Sequence, residues 1–146
     1  MKIRSNPVTE AHNRNEERTT FHVRYAETDA MGIVHHANYL VWFEEARSAF
    51  MRARGTSYTA FEAEGVALAV TEARVRYIVS ARYDRRVTVA CRVERVQSRK
   101  ICFAYTVTDT ETGELLATGE THHICINRQG RVTRIPPAWR KLMAGT

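Results

Sequence analysis

An acid at position 29, a glycine at 32, adjacent imidazoles at 35 and 36 and an asparagine at 38 crowd the segment ETDAMGIVHHANY, residues 27–39. A carboxylate there can attack a carbonyl carbon or take a proton from water. A glycine permits a sharp turn and close approach of a ligand to the backbone. An apolar helical pattern begins directly afterwards, and the start of a helix offers unpaired N–H groups and partial positive charge to an oxygen that becomes negative during acyl transfer. A plainer reading of Asp29 is that of a turn residue. Asn38 can cap the helix, orient a water molecule or do neither.

Other constellations carry less chemistry. His35 and His36 make a poor metal pair, because neighbouring side chains diverge and no third ligand sits at a recognised spacing. His122 and His123 are expected on opposite faces of a strand. Ser48, Ser57, Ser80 and Ser98 lack the G-x-S-x-G elbow of a serine hydrolase. Glu44 and Glu45 lie on the amphipathic helix, where pairing with a nearby arginine or facing solvent is the simpler role. Cys91, Cys102 and Cys125 are isolated among strand-like residues with no CxxC pair, so they read as small buried hydrophobes in a reducing compartment.

The chain of 146 residues is enough for one hydrophobic core, and its 44% hydrophobic and 26% charged residues are those of an ordinary globular protein. The longest apolar stretch, YLVWF at 39–43, is far too short to span a membrane, and no signal-peptide core opens the chain, so a cytoplasmic location is expected. The net charge of +6 permits an anionic partner, but the 22 Lys and Arg residues are scattered, which does not indicate nucleic acid.

The elements that must hold the segment follow from periodicity. Residues 1–18 are polar and aperiodic and read as a flexible leader ahead of one domain at 19–146. From Thr19 the residues alternate, with Phe21, Val23 and Tyr25 on one face of a strand ending near Thr28. Tyr39, Trp42, Phe43, Ala46, Ala49 and Phe50 then recur at helical spacing up to a stop at Gly55, giving a helix about 27 Å long whose apolar face needs a sheet to cover it. A short helical turn carries Tyr58 and Phe61. Val66, Leu68 and Val70 share one parity and Val75, Tyr77 and Val79 the other, so a bulge is expected near 71–74. Further strands run through Val87–Val93, Ile101–Val107 and residues 115–127, joined by the turns QSRK and DTETGE, and Pro136 and Pro137 precede a short terminal helix. The fold class is α+β: one strand, one long helix, then at least four strands in hairpin-like succession.

With those elements in place, RYAETDAMGIVHHANYLVWFEEAR resembles the signature of hotdog-fold acyl-CoA thioesterases of the 4-hydroxybenzoyl-CoA thioesterase type, including the Tol-Pal-associated thioesterases. The shared features are a strand ending in an acid, D-x-x-G-x-V, a polar pair and N-Y-x-x-W/F at the start of the central helix, and they extend in element order over residues 19–144. The resemblance implies an antiparallel sheet wrapped around a long central helix. It implies that Asp29 is the catalytic carboxylate, as nucleophile or base, and that the backbone N–H of His36 polarises the thioester carbonyl. Gly32 and Asn38 would then line the substrate. Arg99 and Lys100 match basic residues that meet the nucleotide phosphates of coenzyme A, although Ser98 stands where a basic run usually starts; Arg128, Arg131 and Arg134 are weaker candidates. No metal or redox cofactor is implied, and the partner is a second copy of the chain, in a dimer or tetramer whose clefts are shared. Some hotdog enzymes instead carry the acid on the central helix, which keeps Glu44 and Glu45 in play. Two rival readings remain open: an enoyl-thioester hydratase using Asp29 and His35, which lacks the expected N-P-L-H run, and a non-catalytic acyl-thioester binder.

Overall fold

A computed structural model describes residues 15–145. Five strands, β1 (Glu16–His22), β2 (Val66–Tyr77), β3 (Arg86–Val96), β4 (Lys100–Asp109) and β5 (Leu115–Asn127), form one antiparallel sheet in the order β1-β3-β4-β5-β2. Helix α1 (Asn38–Ala53) lies across its inner face, with the short α2 (Tyr58–Glu62) and the terminal α3 (Pro137–Ala144) at its flanks. This is the wrapped-sheet architecture expected from the alternating patterns.

The core is where the periodicities meet. Trp42, Phe43, Phe50 and Met51 of α1 are fully buried against Val87, Val89 and Cys91 of β3 and Phe103, Tyr105 and Val107 of β4. Each large side chain so buried stabilises the fold by about 1.5–3 kcal/mol. Phe43 stacks flat on Tyr105, ring centroids 4.1 Å apart, and it reaches the sheet because β5 carries no side chain at Gly119: a Cβ there would lie 2.5 Å from the Phe43 ring and 2.6 Å from the Arg74 carbonyl oxygen.

Three local expectations change. β1 begins at Glu16, so residues 16–18 belong to the sheet, while residues 1–14 of the expected leader lie outside the described residues. β1 also ends at His22 rather than near Thr28: Tyr25–Glu27 form a 3-10 turn, and Tyr25 faces solvent instead of sharing a face with Val23. The late strands are not a simple run of hairpins, because β2 pairs with β5 across the sheet and residues 78–85 cross back to β3. β3 has no free side for β2, since β1 and β4 occupy both its edges. The bulge in β2 falls at Thr71, between Val70 and Glu72, at the start of the 71–74 range its parity switch indicated. No helix among the described residues is long and apolar enough to cross a membrane.

Candidate functional site

Residues 28–34 fold into a small hairpin between β1 and α1. Thr28 and Val34 pair across it, the Asp29 N–H donates to the Ile33 carbonyl at 2.8 Å, and the Gly32 N–H returns to the Asp29 carbonyl at 3.0 Å. Gly32 has a φ of +80°, in the left-handed region that other residues enter at a cost, and the space where a Cβ would sit is open. Oδ1 of Asp29 accepts from the Met31 N–H at 2.8 Å and more distantly from the Ile33 N–H at 3.4 Å. Oδ2 has no partner among the described residues. Asp29 is therefore a turn residue through one oxygen, while its other oxygen is available.

A second acid, which the sequence reading did not single out, holds this hairpin in place. Glu27 is buried, and its carboxylate accepts from the Arg24 N–H at 2.8 Å, from Arg24 Nη2 at 2.6 Å and from Trp42 Nε1 at 2.8 Å. Burial by itself pushes this carboxyl up, but the Arg24 and Trp42 hydrogen bonds overcome it and hold the group below the ordinary glutamate value. The Glu27 carbonyl accepts from the His35 N–H at 2.8 Å and from Asn38 Nδ2 at 2.9 Å, so one residue ties the hairpin to the first residue of α1. Asn38 thus fastens the helix start through its side-chain amide. The signal was a lone Glu in a polar stretch, and its partner Trp42 lies 15 residues away.

The start of α1 has no side-chain cap. The Ala37 N–H donates to His35 Nδ1 at 3.1 Å, the Asn38 N–H to the His35 carbonyl at 3.0 Å and the Tyr39 N–H to the His36 carbonyl at 3.4 Å. Among the described residues the His36 N–H has no acceptor. The two imidazoles stack, centroids 4.2 Å apart, rather than diverging. Tyr77, at the end of β2, is half exposed and donates its hydroxyl to the His36 carbonyl at 2.9 Å. That bond orients the peptide at the helix entrance, whereas Tyr39, Trp42 and Phe61 are core residues.

Arg99 and Lys100 are exposed in the β3–β4 turn. Backbone bonds from Ile135 N–H to the Ser98 carbonyl and from Cys125 N–H to the Arg99 carbonyl, both 2.8 Å, bring the segment carrying Arg131 and Arg134 alongside. The Asp29 hairpin sits at the other end of the sheet, where Ile33 pairs with Arg82 and the Val34 N–H donates to the Ala81 carbonyl. β4 has ten residues, so the two ends are roughly 30 Å apart at about 3.3 Å per residue. A single chain does not bring the basic turn to Asp29.

Glu44 and Glu45 face outward from α1, Glu45 within 2.9 Å of Arg52 and Glu44 within 3.9 Å of Arg47. They border a cleft with a polar floor. Arg47 is buried and donates to the Tyr105 hydroxyl at 2.9 Å, which is 2.6 Å from the Thr121 hydroxyl, itself 2.8 Å from His123 Nε2. Arg47 Nε and His123 Nδ1 have no hydrogen-bond partner among the described residues. Burial, then the Arg47 cation, pushes His123 down to about 3, so it stays neutral beside the guanidinium.

With the site laid out, the relatives can be set beside it. The chain matches the model of the thioesterase-like superfamily over residues 23–142. It belongs to that family. It is 30% identical to the acyl-CoA thioester hydrolase YbgC of Escherichia coli, over 72% of this chain and 78% of that protein. It is also 30% identical to the 1,4-dihydroxy-2-naphthoyl-CoA hydrolase of Thermosynechococcus vestitus, over 88% of each chain. The crystal structure of the DHNA-CoA thioesterase from Staphylococcus aureus superimposes with a TM-score of 0.83 at 34% identity, covering 88% of this chain and 89% of that one. The hotdog fold is thereby established, and the chain stands among enzymes that hydrolyse thioesters.

Proposed function

We propose that this protein hydrolyses an acyl-CoA to the free acid and coenzyme A, with Asp29 as the carboxylate and the His36 N–H as the donor to the thioester oxygen. The observation that carries the reading is the pair of unspent groups on one clamped loop, Asp29 Oδ2 and the His36 N–H, on either side of a run in which the N–H groups from Met31 to His35 all find acceptors. Asp29 attacks the carbonyl carbon or removes a proton from the water that does, the carbonyl oxygen takes up negative charge at the α1 N-terminus, and the CoA thiolate leaves; the mixed anhydride left by direct attack is then hydrolysed by water to the free acid. Gly32 keeps the approach open. The reaction needs no metal or redox cofactor.

The 4-hydroxybenzoyl-CoA thioesterase type, Tol-Pal-associated members included, is the branch that the D-x-x-G-x-V run favours, in a cytoplasmic setting. The working unit is a homodimer or a pair of them. β2 is a 12-residue edge strand that exposes Val70 and Tyr77, an edge that needs covering. A two-fold axis pairing β2 with its copy would carry the partner's basic turn to the end of the sheet that holds Asp29. Arg99 and Lys100 would then meet the CoA phosphates of the neighbouring site.

A thiol-trapping assay over benzoyl, 1,4-dihydroxy-2-naphthoyl, short-chain and long-chain acyl-CoAs tests the proposal. Release of CoA from at least one class is expected. Hydration of an enoyl-CoA with no thiol released would favour the hydratase, and binding without turnover across the panel would favour the non-catalytic binder.

A further inference from the structure

The outer face of the sheet, opposite α1, carries a cluster that the proposed reaction does not use. Glu120 and His122 are two apart on β5 and project from the same face, while Cys102 on β4 is the register partner of His122. Their donor atoms, Cys102 Sγ, Glu120 Oε1 and His122 Nε2, all lie within 4.8 Å of one another. His122 Nε2 is 3.8 Å from the sulfur and 2.6 Å from the carboxylate oxygen. The same nitrogen faces both neighbours, so the trio cannot relay a proton from thiol to imidazole to carboxylate as a nucleophilic triad would, since that needs the two ring nitrogens separately. It is three donors converging on one point.

We propose that Cys102, Glu120 and His122 bind a divalent transition metal of the zinc class, with three protein ligands and one position left to water. A thiolate, an imidazole and a carboxylate are the ligand types such an ion takes. Bond lengths of about 2.3 Å to sulfur and about 2.05 Å to nitrogen at a tetrahedral angle set a sulfur–nitrogen separation near 3.6 Å. The observed 3.8 Å is already close to that. The Glu120–His122 hydrogen bond must open by somewhat under about 1 Å to admit the ion, a movement within reach of a side chain that is 37% exposed. Arg74 Nη2 lies 3.3 Å from Glu120 Oε1 and competes with a cation, yet its Nε is also 2.9 Å from Glu72, which can retain it when Glu120 turns. On binding, the Cys102 thiol gives its proton to solvent and the His122 proton moves to Nδ1, leaving Nε2 to the metal.

The test is a titration of tag-free, reduced, chelator-treated protein with cobalt(II), read by thiolate-to-cobalt charge-transfer absorption. One saturable equivalent with that band, displaced by zinc(II), is expected. Cys102→Ser should abolish the band, and His122→Ala should weaken binding by at least about tenfold. Asp29→Asn should bind cobalt as the parent does, separating this site from hydrolysis. Absence of a thiolate band in the parent overturns the proposal, as does an unchanged titration in His122→Ala, whose folding is checked by its thermal unfolding.

Discussion

Replacing Asp29 with asparagine separates the two duties of that residue. Oδ1 holds the turn through the Met31 N–H at 2.8 Å, and an asparagine Oδ1 accepts the same bond. Oδ2, which has no partner among the described residues, becomes an NH2 that can neither attack a carbonyl nor take a proton. Asp29→Asn should therefore fold like the parent, with a melting temperature within about 2 °C. Turnover should drop by about 10²–10⁴, equivalent to about 3–5.5 kcal/mol of barrier. Asp29→Ala removes the turn bond as well and should add about 0.5–1.5 kcal/mol of destabilisation. The assay is initial-rate thiol release with the best substrate of the acyl-CoA panel, alongside thermal unfolding of each variant. If Asp29→Asn keeps kcat within about threefold while Asp29→Ala lowers stability, the carboxylate serves only the turn, and the mechanism is wrong.

Gly119→Ala should cost about 1–3 kcal/mol or more, because its Cβ would meet the Phe43 ring at 2.5 Å with backbone on the other side; a urea unfolding midpoint close to the parent's would contradict the packing. Glu27→Gln should destabilise by about 2 kcal/mol, since an amide oxygen placed at Oε2 for Arg24 Nη2 and Trp42 Nε1 leaves an NH2 facing the Arg24 N–H. Its folded carboxyl lies below the ordinary 4.5, so the parent's advantage is complete above that pH and fades as pH falls through the lower folded value; chemical denaturation of both proteins from pH 7 to 3 measures it. His123 is held near 3 against an unfolded 6.5, so its neutral burial costs stability progressively as pH falls below 6.5, by about 2 kcal/mol at pH 5. His123→Leu should remove that part of the loss between pH 7 and pH 5, whatever it does to stability at pH 7. Arg99→Ala and Lys100→Ala should raise KM for acyl-CoA, most at low salt, and leave kcat nearly unchanged; loss of kcat alone would take them off the phosphates.

Strands β3 and β4 were legible because each buries one face, which writes a period of two into Val87–Val93 and Ile101–Val107. Helix α1 was legible from the 3.6-residue spacing of its aromatics. The pairing of β2 with β5 was not, since partners such as Val75 and Gly119 lie far apart in the chain and nothing local encodes their meeting. For the same reason the metal-ligand set escaped notice: Cys102 read as a small hydrophobe because its partner His122 is twenty residues on. Arg47 hid in an apolar helix face, where charge normally marks the solvent side; it is buried because Tyr105 meets its guanidinium. Asp29 was found through a motif, but the motif could not say which of its oxygens is free.

That division of oxygens depends on Glu27. A short hairpin with a glycine at its tip would otherwise draw on every local acceptor to hold its shape, and Asp29 would be the nearest one. Here the buried Glu27 carboxylate anchors the loop to Arg24 and Trp42, and its carbonyl anchors the helix start through His35 and Asn38. The Asp29 carboxylate makes only one bond of ordinary length among the described residues. Tyr77 completes the arrangement from the sheet edge by donating to the His36 carbonyl, which fixes the peptide that leads into α1. Two acids two residues apart thus divide the work. The one that is buried and fully bonded supplies rigidity, and on the proposed mechanism the half-bonded one supplies reactivity, so a change at Glu27 should appear first in stability and a change at Asp29 first in rate.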